Sequence, residues 1–154
     1  MATTDAKPVF VDTNILVYAN LTQSPFHKRA LFALENLRKS DAELWINRQV
    51  LREYLAVMTR PNLLTAIIPI ESLVEDVQAF SSAFKIAEET SQTTETLLAF
   101  LEKFPTAGKQ IHDANIVASM LSVGVRSLLT NNAADFARFS TEIEILDLRH
   151  LPTS

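Results

Sequence analysis

The sequence predicts an α/β protein in which helices cover both faces of a central, mostly parallel sheet. Two observations indicate this fold class. Five short runs rich in β-branched, aromatic or other apolar residues interrupt a helical pattern, and amphipathic segments separate them. Only two of the 154 residues are glycine, which favours helix between the runs. Strands that alternate with helices are typical of right-handed crossovers and a parallel sheet.

The strands are predicted from compact apolar runs that end at polar residues. Val9–Val11 is the clearest of them, because it stops abruptly at Asp12 and suits a strand buried on both faces. The other predicted strands are 44–46, a weak one at 84–87, 127–130 and 143–148.

The helices are predicted from apolar spacing and end signals. Ser24-Pro25 is interpreted as the start of a helix that reaches Arg38, with Leu31, Leu34 and Leu37 as its apolar face. A second helix is expected over 48–59, ended by Pro61. Further helices are expected around 73–80, over 91–104 with Leu97, Leu98, Leu101 and Phe104 on one side, and over 111–121, before Gly124.

Composition limits the class of protein. A chain of this length supports one core, so we expect a single domain over 1–154. The absence of cysteine excludes disulfides, zinc–thiolate sites and a thiol nucleophile. A net charge of −4 argues against holding nucleic acid by bulk positive charge. Without an apolar run long enough to span a membrane, we expect a soluble, cytoplasmic protein.

Acidic and amide side chains follow two of the predicted strands. Asp12-Thr13-Asn14 comes directly after the first strand, and Thr130-Asn131-Asn132, with Asp135 a turn later, after the fourth. Glu53 and Asp113 lie early in apolar helices. Ligands of parallel sheets bind beyond the carboxyl ends of the strands. Oxygen-only ligand sets suit Mg²⁺ or Mn²⁺, so these places are candidates for one metal site.

Each acid taken alone has an ordinary structural explanation. Asp12 can cap the helix that follows it, and Glu53 can be a solvated helix acid. Asp113 can pair with Lys109 one turn earlier, a contact worth only about 0.3–0.5 kcal/mol. Asp135 suits the first turn of a short helix. These separate explanations do not account for acids at four places that are all candidates for one metal site.

The four places resemble the motifs of the PIN-domain nucleases, and within that family those of the VapC-type toxins of prokaryotic toxin–antitoxin systems. The resemblance runs nearly the whole length of the chain. Its motifs are Phe10–Tyr18 with Asp12, Gln49–Pro61 with Glu53, Ile111–Ala118 with Asp113, and Leu129–Phe136 with Asn132 and Asp135. Many family members have aspartate at the position of Asn132, so here the fourth carboxylate is expected at Asp135.

The resemblance implies a three-layer α/β/α fold and Mg²⁺- or Mn²⁺-dependent cleavage of RNA that leaves a 5′-phosphate and a 3′-hydroxyl. Asp12, Glu53, Asp113 and Asp135 are the implied catalytic and metal-binding residues. Asn14, Thr130 and Asn132 would orient or complete the site. The resemblance also implies a homodimer and a small antitoxin partner. Arg48, Arg52 and Lys109 are candidate RNA-binding residues because they lie near the acids in the sequence.

Three alternatives compete with the nuclease interpretation. One is a PIN-like module that binds RNA or protein without cutting. A haloacid-dehalogenase-like phosphatase needs a second aspartate two residues after the first, where this chain has Asn14. A receiver domain needs a lysine after its last strand, where this chain has Arg149-His150. The last two therefore fit poorly.

Overall fold

The computed structural model describes residues 7–61 and 67–153. In them, five parallel strands form one sheet in the order β3-β2-β1-β4-β5. The strands are β1 (Pro8–Val11), β2 (Glu43–Ile46), β3 (Lys85–Ile86), β4 (Ser127–Thr130) and β5 (Glu144–Asp147). The predicted α/β class is confirmed, and every strand pair of this sheet is parallel.

Helices connect all the strands. The α-helices of the described residues are α1 (Thr13–Asn20), α2 (His27–Lys39), α3 (Arg48–Met58), α4 (Ile70–Ala83), α5 (Ser91–Lys103), α6 (Gln110–Ser122) and α7 (Ala133–Phe136). Single 3-10 turns follow at Ala137–Phe139 and Leu148–His150. None of the helices in the described part of the chain is long and apolar enough to cross a membrane.

The strand order creates a switch point between β1 and β4. The chain moves from β1 outward to β2 and β3, and then crosses back to β4 and β5 on the other side. Because the crossovers are right-handed, the helices before β3 cover one face and the later helices cover the other. This gives the three-layer α/β/α architecture. The helix after β1 and the segment after β4 diverge to opposite faces, which opens a crevice at the carboxyl ends of these two strands.

The two central strands are buried on both faces, as their continuous apolar runs predict. Phe10, Val11, Leu128 and Leu129 are fully buried. Val11 pairs with Leu129, so both strands end at the same level of the sheet. The polar residues that follow each strand therefore emerge side by side.

The predicted start at Ser24-Pro25 of the helix that reaches Arg38 is wrong. This helix, α2, begins at His27 rather than at Ser24-Pro25, with Phe26 at its N-cap. The Ser24 hydroxyl instead accepts a hydrogen bond from the Phe26 amide, and its carbonyl accepts one from His27, which forms a separate turn before the helix. Leu31 is 44% exposed and lies outside the buried face, which is formed by Ala30, Ala33 and Leu34.

The predicted apolar face of α5 is also partly wrong. Leu98 is 55% exposed, whereas Phe100 and Thr93 are buried. The Phe100 ring lies 5.7 Å from that of Phe139, so contact with the turn after α7 sets the buried face of α5. Strands β3 and β5 are shorter than the runs at 84–87 and 143–148, since β3 is an edge strand and Leu148 already begins a 3-10 turn.

Candidate active site

The candidate site lies at the switch point, where β1 and β4 end. Asp12 is the first residue after β1, and its amide extends the ladder by donating to the Leu129 carbonyl at 3.0 Å. Thr130 ends β4 beside it. Sequence reasoning placed polar groups at these two strand ends, and the sheet register brings them into contact.

Asp12 is buried and accepts hydrogen bonds at both carboxylate oxygens. It caps α1, because Oδ1 accepts from the Thr13 amide at 2.8 Å. Its Oδ2 accepts from the Thr130 hydroxyl at 2.8 Å and from the Asn14 side-chain amide at 3.2 Å. Asp12 can therefore cap α1 and also belong to the site, because one oxygen caps the helix and the other contacts Thr130 of β4.

Burial is the main cause of the raised pKa of Asp12. Its side chain is 8% exposed, and desolvation together with the nearby Glu53 charge raises its pKa to about 6. The hydrogen bonds from Thr130, Thr13 and Asn14 act in the opposite direction without cancelling the burial. A cation close to this carboxylate would stabilise its ionised form and offset the cost of burying the charge.

Hydrogen bonds fix the segment after β4 to the start of α1. The Thr130 hydroxyl donates to Asp12 and accepts from the Asn132 amide at 3.0 Å. The Asn14 side-chain oxygen accepts from the Asn131 amide at 3.0 Å. The side chain of Asn132 itself is exposed. Asn14 and Thr130 thus join the end of β4 to the start of α1 and hold Asp12 between them.

Glu53 joins the site from α3. It is half-buried, and its Oε2 accepts from the Thr13 hydroxyl at 2.9 Å. Its Oε1 accepts from the side-chain amide of Gln49, one turn earlier on the helix, at 2.8 Å. Thr13 is therefore the direct link between the Asp12 segment and Glu53.

Asp113 lies in the first turn of α6, and the negative charges of other acids act on it. Partial burial raises its pKa to about 7, and the charges of Asp12, Asp135 and Glu53 each contribute to the increase. Arg138 opposes the shift. Asp135 itself is exposed, in the first turn of α7. The other three predicted acids thus lie close enough to Asp113 for their charges to repel its carboxylate.

The three predicted RNA-binding residues are not equivalent. Arg48 is engaged by Glu88, with a nitrogen–oxygen distance of 2.7 Å. Arg52 and Lys109 are exposed on α3 and at the N-cap of α6. The alternative that Asp113 pairs with Lys109 is wrong, because no ion pair joins them in the described residues and Arg138 supplies the nearby positive charge.

Three residues at the site were not predicted as site residues, although Gln49 and Asn115 lie within the second and third motifs. Gln49 contacts Glu53 from the same helix and also donates to the His112 carbonyl on α6 at 3.0 Å. Asn115 donates to Gln49 at 2.8 Å. Arg138 lies in a 3-10 turn close to Asp113. The i, i+4 spacing of Gln49 and Glu53 was the one available clue, and it is common in any helix.

The acids fit a hard divalent cation by their chemistry. All donors are oxygen atoms, and two carboxylates with raised pKa values would gain from a nearby positive charge. No three acidic or histidine side chains within residues 7–61 and 67–153 are positioned to hold one ion together. The donors are therefore gathered at one place but do not form a closed cage.

Comparison with known proteins gives consistent matches. The sequence profile of the PIN domain matches residues 9–142. Ribonuclease VapC48 of Mycobacterium tuberculosis is 27% identical over 130 residues, which cover 83% of this chain and 89% of that protein.

Solved structures resemble the fold over a similar range. VapBC2 from Rickettsia felis, bound to a DNA fragment from its promoter, matches with a TM-score of 0.65 and 21% identity, covering 91% of this chain and 98% of the matched one. A toxin–antitoxin complex from Klebsiella pneumoniae matches with a TM-score of 0.64 and 18% identity, covering 91% of this chain and 97% of the matched one. At these identities the structures establish the fold, and the profile establishes the family. The resemblance carried by the four motifs is therefore confirmed, and the chain belongs to the PIN domain family.

Proposed function

We propose that this PIN domain is a metal-dependent endoribonuclease of the VapC type, a toxin that an antitoxin neutralises. The observation that carries the proposal is the gathering of Asp12, Glu53, Asp113 and Asp135 at the switch point, where burial first and then the charges of the other three acids raise the pKa of Asp113. Repulsion among buried acids destabilises a fold, so clusters of this kind are typical of functional sites. The relative named as a ribonuclease supports the same activity.

Asp12 and Asp113 are the residues that would hold Mg²⁺ or Mn²⁺, with Glu53 and Asp135 next to them. A bound ion of this kind would acidify a water molecule and stabilise charge on the leaving oxygen. Thr130 and Asn14 hold Asp12 through its Oδ2, so its orientation is fixed before any ligand arrives. Asp135 and Asn132 would complete the site directly or through water.

In this proposal Glu53 would act as a metal ligand or would accept the proton of the attacking water. The water oxygen forms a bond to the scissile phosphorus as the bond to the 3′ oxygen breaks. The 3′ oxygen then takes up a proton, which leaves a 5′-phosphate on one fragment and a 3′-hydroxyl on the other. Because Thr13 and Gln49 occupy one lone pair of each Glu53 oxygen, the other lone pairs are available for this role.

An antitoxin is the expected protein partner, and a homodimer the expected assembly. The structural neighbours include a toxin–antitoxin complex and VapBC2, which supports the first expectation. RNA is the proposed substrate, and Arg52 and Lys109 are the better candidates for contacting it because Arg48 is paired with Glu88.

The test is cleavage of a defined RNA by purified protein with Mg²⁺ or Mn²⁺, with chelator and with the Asp12→Asn variant. We expect cleavage only in the presence of metal, fragments with 5′-phosphates, and loss of cleavage in the variant. Cleavage that continues at the normal rate in chelator or in Asp12→Asn would contradict the proposal.

A second candidate function is an RNA- or protein-binding module without cleavage activity. Two observations favour it: the open arrangement of the acids in the described residues, and an amide at Asn132. The same experiment separates the two functions. RNA that binds but stays intact at every metal concentration would support the binding module.

A further inference from the structure

Gln49 is a buried polar residue that connects two acids of the candidate site. It lies in the first turn of α3, is 6% exposed and donates to Glu53 Oε1 at 2.8 Å. The same Nε2 donates to the His112 carbonyl at 3.0 Å, next to Asp113 on α6. One side chain therefore bridges the helix of Glu53 and the helix of Asp113.

The surroundings of the Gln49 amide fix its orientation. Both hydrogens of Nε2 are used, one by a carboxylate and one by a carbonyl oxygen. Its Oε1 accepts from the Asn115 amide at 2.8 Å. The reversed amide would place an oxygen against two other acceptors and an NH₂ group against an NH₂ group. The hydrogen-bonding partners thus allow one orientation only.

Asn115 extends this connection towards the surface. Its Nδ2 also donates to Glu89 Oε1 at 2.6 Å. Glu89 is exposed, so the chain of contacts runs from solvent through Asn115 and Gln49 to Glu53. The Gln49 amide is held at both ends, and Glu53 is held by Gln49 and Thr13 at separate oxygens.

We propose that Gln49 is a positioning residue, which fixes the Glu53 carboxylate relative to Asp113 and thereby sets the strength of metal binding and the rate of cleavage. The inference rests on the proposed function. Gln49 is buried and acts through its hydrogen bond to Glu53, so it is not expected to contact RNA. Hydrogen-bond partners that orient ligands commonly change metal affinity or activity by about 10- to 100-fold when they are removed.

The test uses Gln49→Met, which keeps the length of the side chain and removes its polar atoms. We expect kcat to fall about 10- to 100-fold while the KM for RNA changes less than about twofold. The dissociation constant of Mn²⁺, measured by calorimetry on the metal-free protein, should rise at least about tenfold. A loss of folded protein alone would lower the number of binding sites and leave this constant unchanged.

Gln78→Met is the matched control, because Gln78 is an exposed helical glutamine on α4. It should match the wild type in both measurements. Asn115→Ala removes the donor that orients Gln49 and should shift both values in the same direction by a smaller factor. If Gln49→Met does not fold, Asn115→Ala decides the question alone.

Wild-type values of kcat and of the Mn²⁺ dissociation constant in these variants would overturn the positioning role and leave the proposed function intact. A wild-type protein that neither binds Mn²⁺ nor cleaves RNA would instead contradict the proposed function itself.

Discussion

The two sides of the candidate site are built differently. On the side of β1 and β4, Asp12 is buried and accepts three hydrogen bonds, and Thr130 and Asn14 tie the two strand ends together. On the other side, Asp113 is half-buried and Asp135 exposed, and their main relation to the rest of the site is repulsion.

The difference indicates how each side would respond to a cation. Hydrogen bonds hold the Asp12 side in place whether or not an ion is present, so it is preorganised. Asp113 has fewer constraints, and burial and the neighbouring acids raise its pKa, so it gains from a nearby positive charge. We therefore expect an ion to bind first against Asp12 and to draw Asp113 towards it.

The largest expected effect is loss of cleavage in Asp12→Asn and Asp113→Asn. Each removes a charge from a proposed metal ligand, which should cost roughly 4 kcal/mol of transition-state stabilisation, or about 10³-fold in rate. RNA cleavage at saturating Mn²⁺ measures it. Asp41→Asn is a control, since Asp41 is exposed and outside the site. Normal cleavage by either variant would show that the two sides do not form one active site.

Thr130→Val should have the next largest effect, because the hydroxyl holds Asp12 and the Asn132 amide together. We expect activity to fall about 10- to 100-fold. Thr93→Val is a matched control, because Thr93 is also buried but caps α5. Equal losses of activity in the two variants would mean that Thr130 matters for stability alone and that its side of the site is not preorganised.

The pH dependence of stability should reveal the two raised pKa values. Both lie above the ordinary value of 3.8, so the folded protein binds protons more tightly than the unfolded chain. The contribution of these acids to stability is therefore greatest at low pH and falls as pH rises through the range 4 to 7. For Asp12 alone we expect a decrease of roughly 1–2 kcal/mol between pH 5 and pH 8.

Chemical unfolding of the metal-free protein at these pH values measures this dependence. Asp12→Asn should flatten it and unfold at a higher denaturant concentration than the wild type at pH 8. Asp113→Asn should act in the same direction but less strongly, because the side chain is only half-buried. A stability that rises from pH 5 to pH 8, and that Asp12→Asn leaves unchanged, would contradict the burial cost assigned to this carboxylate.

The smallest effect is expected at the edge of the site. Arg48 forms an exposed ion pair with Glu88, so Arg48→Ala should change the KM for RNA by less than about twofold. Arg52→Ala, on an exposed position of the same helix, should raise it more. Binding curves at low and moderate salt measure the difference. A larger effect of Arg48→Ala would show that the ion pair opens to contact RNA.

The sequence predicted the sheet and the Asp12–Thr130 side well, for a physical reason. Both depend on local signals, since an apolar run followed by polar residues marks the carboxyl end of a buried strand. The start of α2 was missed because Ser24 forms a turn instead of a cap, and the exposure of Leu98 because Phe100 packs on Phe139. The first is a choice between two local hydrogen-bonding patterns, and the second depends on a tertiary contact.

The contacts that orient Glu53 could not be predicted in the same way. Gln49 meets His112 and Asn115 only once the fold brings α3 and α6 together at the site. Arg138 likewise acts on Asp113 from a different element of the fold. No local spacing encodes these pairs. The family resemblance implied the acids together with Asn14 and Thr130, while the contacts of Gln49, Asn115 and Arg138 emerged only from the structure.

The most direct test of the account is anomalous diffraction from crystals soaked in Mn²⁺. We predict a peak between the carboxylates of Asp12 and Asp113, within ligand distance of both, with Glu53 beside it. A map without such a peak, in which these side chains point away from one another at saturating Mn²⁺, would contradict the proposal that the switch point is a metal-dependent nuclease site.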